Sequence, residues 1–132
     1  MAPVCPKCDV RLLIVHLQEI AVDFCDRCRG LWLDTSELDE LLTRAGARPD
    51  EAFRHALGVT TAPTGLTRHL CPRCDQPMHE LQHGELTLEQ CPQGHGLWFD
   101  AGELQRLLAT GSPAAAASRT VADLNQIFVQ PN

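Results

Sequence analysis

Two cysteine pairs set sixteen residues apart constrain this chain more than any other feature: Cys5-Pro6-Lys7-Cys8 and Cys25-Asp26-Arg27-Cys28. A Cys-x-x-Cys turn brings two thiolates to one ion from a short loop. Two such turns, delivered side by side by a hairpin, complete a tetrahedral sulfur cage. Sixty-six residues on, the pattern returns as Cys71-Pro72-Arg73-Cys74 and Cys91-Pro92-Gln93-Gly94-His95. Aligned without gaps, residues 5–42 and 71–108 share 14 identities in 38 positions. Chance would give about two or three, so the chain reads as a duplication.

The second copy carries Gly94 where the first has Cys28, and His95 stands one residue later, able to take the vacancy. Seven cysteines and one histidine make eight ligands, enough for two four-coordinate ions. A disulfide framework would leave one of the seven unpaired. The spacing therefore predicts two structural Zn2+ ions per chain, one at Cys5, Cys8, Cys25 and Cys28, the other at Cys71, Cys74, Cys91 and His95. Rivals of His95 are His69, His79 and His83. The last two align with Leu13 and Leu17 on the hairpin and are expected at the surface. Iron in a rubredoxin-like site is the competing metal for the first set, and a thiol redox pair is the competing chemistry. A redox Cys-x-x-Cys usually opens a helix, whereas here it recurs on the four corners of ribbons.

Size makes the metal necessary. In 132 residues with no tyrosine, a repeat of about 40 residues buries too little apolar surface to fold unaided. The formal charge is −6; a four-thiolate zinc site adds −2 and a three-thiolate site −1, bringing the loaded chain to about −9. The arginines are scattered rather than clustered, so composition disfavours generic phosphate binding. Cys5 and Cys8 occupy the place of a signal peptide's charged lead and apolar run, and no apolar run approaches membrane-spanning length. A reducing cytoplasm is the expected home for these thiols, with no membrane partner.

Hydrophobic patterning places the motifs. Leu12–Val15 and Ile20–Phe24 read as hairpin strands about a turn at Gln18-Glu19, and Leu31–Leu33 as a third strand. Asp34-x-x-Glu37 is a capping box opening a helix whose Leu38, Leu41, Leu42 and Ala45 share a face, with Gly46 ending it. The second copy repeats this with Leu86 and Leu88, then Asp100-x-x-Glu103 and Leu104, Leu107 and Leu108. The expected organisation is a zinc ribbon with helix over 1–46, a linker with a short helix over 47–66, a second ribbon with helix over 67–111, and a C-terminal helix over 112–132. In that last helix Val121, Leu124, Ile127 and Phe128 form an apolar stripe that packs on its own chain or on a second copy. The fold class is a small, metal-stabilised α+β protein of two tandem zinc ribbons.

The run Cys-Pro-x-Cys followed by Cys-x-x-Cys-x-Gly-x-Trp-Leu-Asp-x-x-Glu-Leu resembles the bacterial transcription-factor-IIB-type zinc-ribbon family, over residues 5–42 and 71–108. The Cys-Pro-x-Gly-His-Gly form at Cys91–Gly96 resembles a variant of it. The resemblance implies a zinc ribbon with ligands at Cys5, Cys8, Cys25 and Cys28, and at Cys71, Cys74 and Cys91, with His95 departing from the four-cysteine pattern. It implies no particular activity.

Trp32 and Trp98 could stack on bases, but in so small a fold they read as core or as packing between the repeats. Asp34, Glu37, Asp100 and Glu103 have the offset of acid/base pairs, which the helix caps already explain. Eight ligands for two ions leave no open position for a catalytic water, and no Ser-His-Asp set, phosphate loop or spare nucleophilic cysteine stands out. The reading is a non-enzymatic module that binds another macromolecule, a protein by preference. The alternatives are a nucleic-acid-binding transcription accessory and an iron or thiol redox protein.

Overall fold

The computed structural model describes residues 3–45, 66–83 and 86–111. The expected linker helix and C-terminal helix lie outside these residues.

In the first repeat, β1 (Leu13–Leu17) and β2 (Ile20–Phe24) form an antiparallel hairpin. The turn is the expected one. Gln18 and Glu19 both have positive φ, 52° and 70°, the two-residue turn whose twist suits paired strands. Arg44 holds it from the helix that follows, donating from Nη1 to the Gln18 carbonyl at 2.6 Å. β3 (Leu31–Asp34) pairs with β2, and α1 (Thr35–Ala45) follows at once. The capping box closes in both directions: Glu37 N–H donates to Asp34 Oδ1 at 2.8 Å and Asp34 N–H to Glu37 Oε1 at 3.0 Å.

The second repeat runs β4 (Leu66–Leu70), β5 (Pro77–His83), β6 (Leu86–Gln90), β7 (Gly96–Phe99) and α2 (Glu103–Gly111). Its β4 adds a strand the sequence pattern does not announce. It pairs Leu70 with Pro77, and the corresponding pair one repeat earlier, Val4 with Arg11, is a single isolated bridge.

The two ribbons are one sheet. β3 pairs antiparallel with β7, giving the order β1-β2-β3-β7-β6-β5-β4. The register sets Leu31 opposite Phe99, Trp32 opposite Trp98 and Leu33 opposite Leu97. These pairs are related by the duplication, so an internal twofold passes through the tryptophan pair. Alternation along β3 and β7 then sorts the side chains to two faces. Leu31, Leu33, Leu97 and Phe99 join Val22, Phe24, Leu88 and the helix residues Leu38, Leu41, Leu42, Leu104 and Leu107 in one core spanning both repeats. Trp32 and Trp98 turn the other way, into a second cluster with Cys5, Cys25, Cys71, Cys91, Leu12 and Met78. Both indoles are buried, as core packing requires.

Charged pairs cross the junction in the same twofold sense. Lys7 Nζ lies 2.5 Å from Asp100 Oδ1 and 3.6 Å from Glu89 Oε2. Its counterpart Arg73 lies 3.9 Å from Asp34 Oδ2. Burial disfavours the Lys7 ammonium, but the hydrogen bond and charge of Asp100, with Glu89 behind it, hold its pKa above the usual lysine range. Asp100 therefore departs from the sequence expectation of a simple cap. Its Oδ1 accepts from Trp98 Nε1 at 3.1 Å and faces Lys7, while the Glu103 N–H bonds to the Asp100 backbone carbonyl at 3.0 Å. Only the Glu103 half of that box is made, with Asp100 N–H donating to Glu103 Oε1 at 2.7 Å.

Candidate metal centres

Each cluster is built from two knuckles at the ends of a hairpin. In the first, Asp9 has φ 62° and its N–H returns to the Cys5 carbonyl at 3.0 Å. Arg29 has φ 66° and returns to the Cys25 carbonyl at 2.8 Å, and Asp75 has φ 60° and returns to the Cys71 carbonyl at 2.9 Å. In these three knuckles the second cysteine sits just before the left-handed residue.

The fourth knuckle is shorter. Gly94 takes the left-handed angle, φ 79°, and its N–H returns to the Cys91 carbonyl at 3.0 Å. The turn tightens by one residue, so the position aligned with Cys28 becomes the turn glycine. The ligand moves to the next residue, and the longer side chain of His95 reaches back. The closing bonds of the two knuckles still correspond, Cys25 N–H to Gly30 carbonyl at 2.9 Å and Cys91 N–H to Gly96 carbonyl at 3.1 Å.

The four donor atoms of Cys5, Cys8, Cys25 and Cys28 lie within 4.8 Å of one another, as do those of Cys71, Cys74, Cys91 and His95. A regular tetrahedron with Zn–S bonds of about 2.3 Å has S–S edges of about 3.8 Å. Cys5 Sγ and Cys28 Sγ are 3.7 Å apart, and Cys74 Sγ and Cys91 Sγ 3.6 Å. His95 presents Nδ1, 3.4 Å from Cys91 Sγ and 4.0 Å from Cys71 Sγ. A zinc ion fits both cages on donor type and on edge length.

The surroundings favour an occupied cage. Backbone N–H groups of Lys7 and Cys8 point at Cys5 Sγ at 3.4 and 3.3 Å, and those of Arg73 and Gln93 at Cys71 and Cys91 Sγ, both at 3.3 Å. Such donors stabilise thiolates, but burial outweighs them where no cation balances the charge. It pushes the Cys5 thiol up to about 11 and the Cys71 thiol up to about 12, and Cys28 goes up as well. Burial acts against the Cys25 thiolate too, yet the N–H groups of Cys28 and Arg27 carry its pKa below the usual value. Clustered buried thiols of this kind are costly to ionise without a metal and excellent ligands with one.

Two of the rival histidines, His79 and His69, are engaged elsewhere. His79, expected at the surface, is buried on β5, where its Nε2 donates to Gln90 Oε1 at 2.9 Å. Cross-strand pairing sets His79 opposite Gln90, a neighbour that alignment with exposed Leu13 does not reveal. His69 Nδ1 donates to Glu89 Oε1 at 2.7 Å. We expect His95→Ala to leave three thiolates and an open position, so that a mild chelator strips one ion of two. His79→Ala should cost stability and keep both ions, as elemental analysis after dialysis would register.

Two four-donor cages, each carried on a knuckle–hairpin–knuckle, define a tandem zinc-ribbon protein that holds two zinc ions. The chain belongs to the transcription factor zinc-finger family, whose sequence model matches it twice, over residues 4–44 and 70–110. No curated protein matches the chain, and no solved structure does. Among the described residues no helix is long and apolar enough to cross a membrane.

Proposed function

We propose that the protein is a non-enzymatic docking module, with both zinc ions structural and a protein as its partner. The observation that carries this reading is the outer edge of β1. In the second repeat the equivalent strand, β5, is covered by β4. In the first repeat no strand lies on β1 among the described residues, and Leu13 and Ile14 stand 47 % and 68 % exposed. β1 reads Leu-Ile-Val-His-Leu, without the charges or proline that usually guard an edge. Such an edge suits an extended partner segment that adds as a further strand, with main-chain hydrogen bonds giving affinity and the aliphatic side chains selectivity. The donor count supports the absence of catalysis, since each cage already has four protein ligands for a tetrahedral ion. A cytoplasmic setting agrees with seven thiols kept for metal.

The test is capture of partners from the native host by the wild-type protein and by Leu13→Lys/Ile14→Lys. Loss of a captured protein in the variant, with two zinc ions retained, supports edge docking. Sub-micromolar, sequence-dependent binding of DNA or RNA at physiological salt would instead promote the nucleic-acid reading, which the charge of −6 disfavours.

A further inference from the structure

We propose that Thr35, at the start of α1 in the first repeat, is a positioning residue for the metal site of the second. Its hydroxyl donates to the Gly94 carbonyl at 2.9 Å, and its backbone N–H donates to the His95 carbonyl at 3.2 Å. The first N–H groups of a helix lack intrahelical acceptors. Here one of them is satisfied by the backbone of a metal ligand about sixty residues away in the chain.

The contact is not a by-product of the duplication. The residue related to Thr35 is Ala101, which has no hydroxyl, and those related to Gly94 and His95 are Cys28 and Arg29. The threonine thus stands only opposite the knuckle that has exchanged its fourth cysteine for histidine. That knuckle needs more support. A thiolate accepts a metal from a wide range of directions, whereas an imidazole offers one lone pair in the ring plane. A ligating histidine is ordinarily oriented by a partner on its other ring nitrogen. Among the described residues His95 has hydrogen-bond-range neighbours only at Nδ1, which faces Cys71 and Cys91, and Nε2 has none. Its direction is therefore set from the backbone. His95 lies beyond left-handed Gly94, where the turn leads into β7. The two bonds from Thr35 hold the peptide carbonyls on both sides of the His95 Cα.

Thr35→Val keeps the shape and removes the hydroxyl, and Thr35→Ser restores it. The probe is cobalt(II), titrated into the full chain and displaced by zinc. Sulfur-only and mixed sulfur–imidazole sites differ in their visible bands, and His95→Ala identifies the second set. Thr35→Val should weaken the second site about tenfold, the lower end of the range for outer-shell partners. The first site should keep its affinity, and Thr35→Ser should recover the second. Unchanged second-site affinity, or equal weakening of both sites, overturns the proposal. A measurement on the wild type covers the case in which the valine variant does not fold. During stepwise zinc release, exchange of the Thr35 amide hydrogen should accelerate with loss of the second-site ion. Exchange that follows only the first-site ion overturns the proposal equally.

Discussion

Stripping both zinc ions from the intact protein is expected to unfold the whole sheet, leaving no folded metal-free core. The sulfur ligands Cys5, Cys25, Cys71 and Cys91 share one cluster with Trp32 and Trp98, on one face of the β3–β7 junction. The opposite face carries a single apolar core drawn from both repeats. Loss of the knuckles therefore exposes the tryptophan pair and the strands that join the halves together. Structural zinc contributes about 10 kcal/mol or more per site at neutral pH, while a domain's net stability is about 5–15 kcal/mol. Two such terms exceed the whole margin. A chelator strong enough to take both ions should abolish the sheet signal in far-ultraviolet circular dichroism and shift tryptophan emission to that of solvated indole. Retention of both signals in demonstrably zinc-free protein would show that packing alone suffices.

Gly96→Ala should be a severely damaging single methyl at the junction. Gly96 stands directly opposite Asp34 in the β3–β7 ladder. A Cβ there would lie 2.3 Å from the Leu33 carbonyl oxygen and 2.7 Å from Asp34 Cα. These are backbone atoms of a strand whose Leu33 side chain is fully buried, so neither can swing aside. The strands must part, which costs about 3 kcal/mol at the upper end of ordinary overpacking. Gly102→Ala is the comparison. Gly102 has φ +85° but nothing within 4 Å of its added Cβ, so only the left-handed penalty of about 1–2 kcal/mol applies. Urea unfolding of the zinc-loaded variants should order them with Gly96→Ala well below Gly102→Ala. The reverse order would mean that the ladder at Gly96 is looser than its geometry implies.

Spacing and pattern by themselves determined the duplication, the eight candidate ligands, the Gln18-Glu19 turn and the capping box at Asp34. The turn and the cap depend on residues within a few positions of one another, and the duplication and ligand sets on spacings that repeat along the chain, so that turn geometry, side-chain reach and strand alternation leave few alternatives. His95 belongs with them, because a donor count and a one-residue offset point to it, although the reason for the offset, left-handed Gly94, is visible only in the turn itself. Tertiary structure alone decided how the repeats meet. Whether the edges of β3 and β7 pair with each other or stay apart depends on residues about sixty-six positions distant, and such pairing leaves no periodic trace in a strand of four residues. The same holds for buried His79, whose Gln90 partner comes from the neighbouring strand, and for Asp100, whose carboxylate turns from its own helix to Trp98 and Lys7. Local chemistry selects what each ribbon can be. The edge-to-edge register, a balance of non-local contacts, decides that the two ribbons share one sheet and one core.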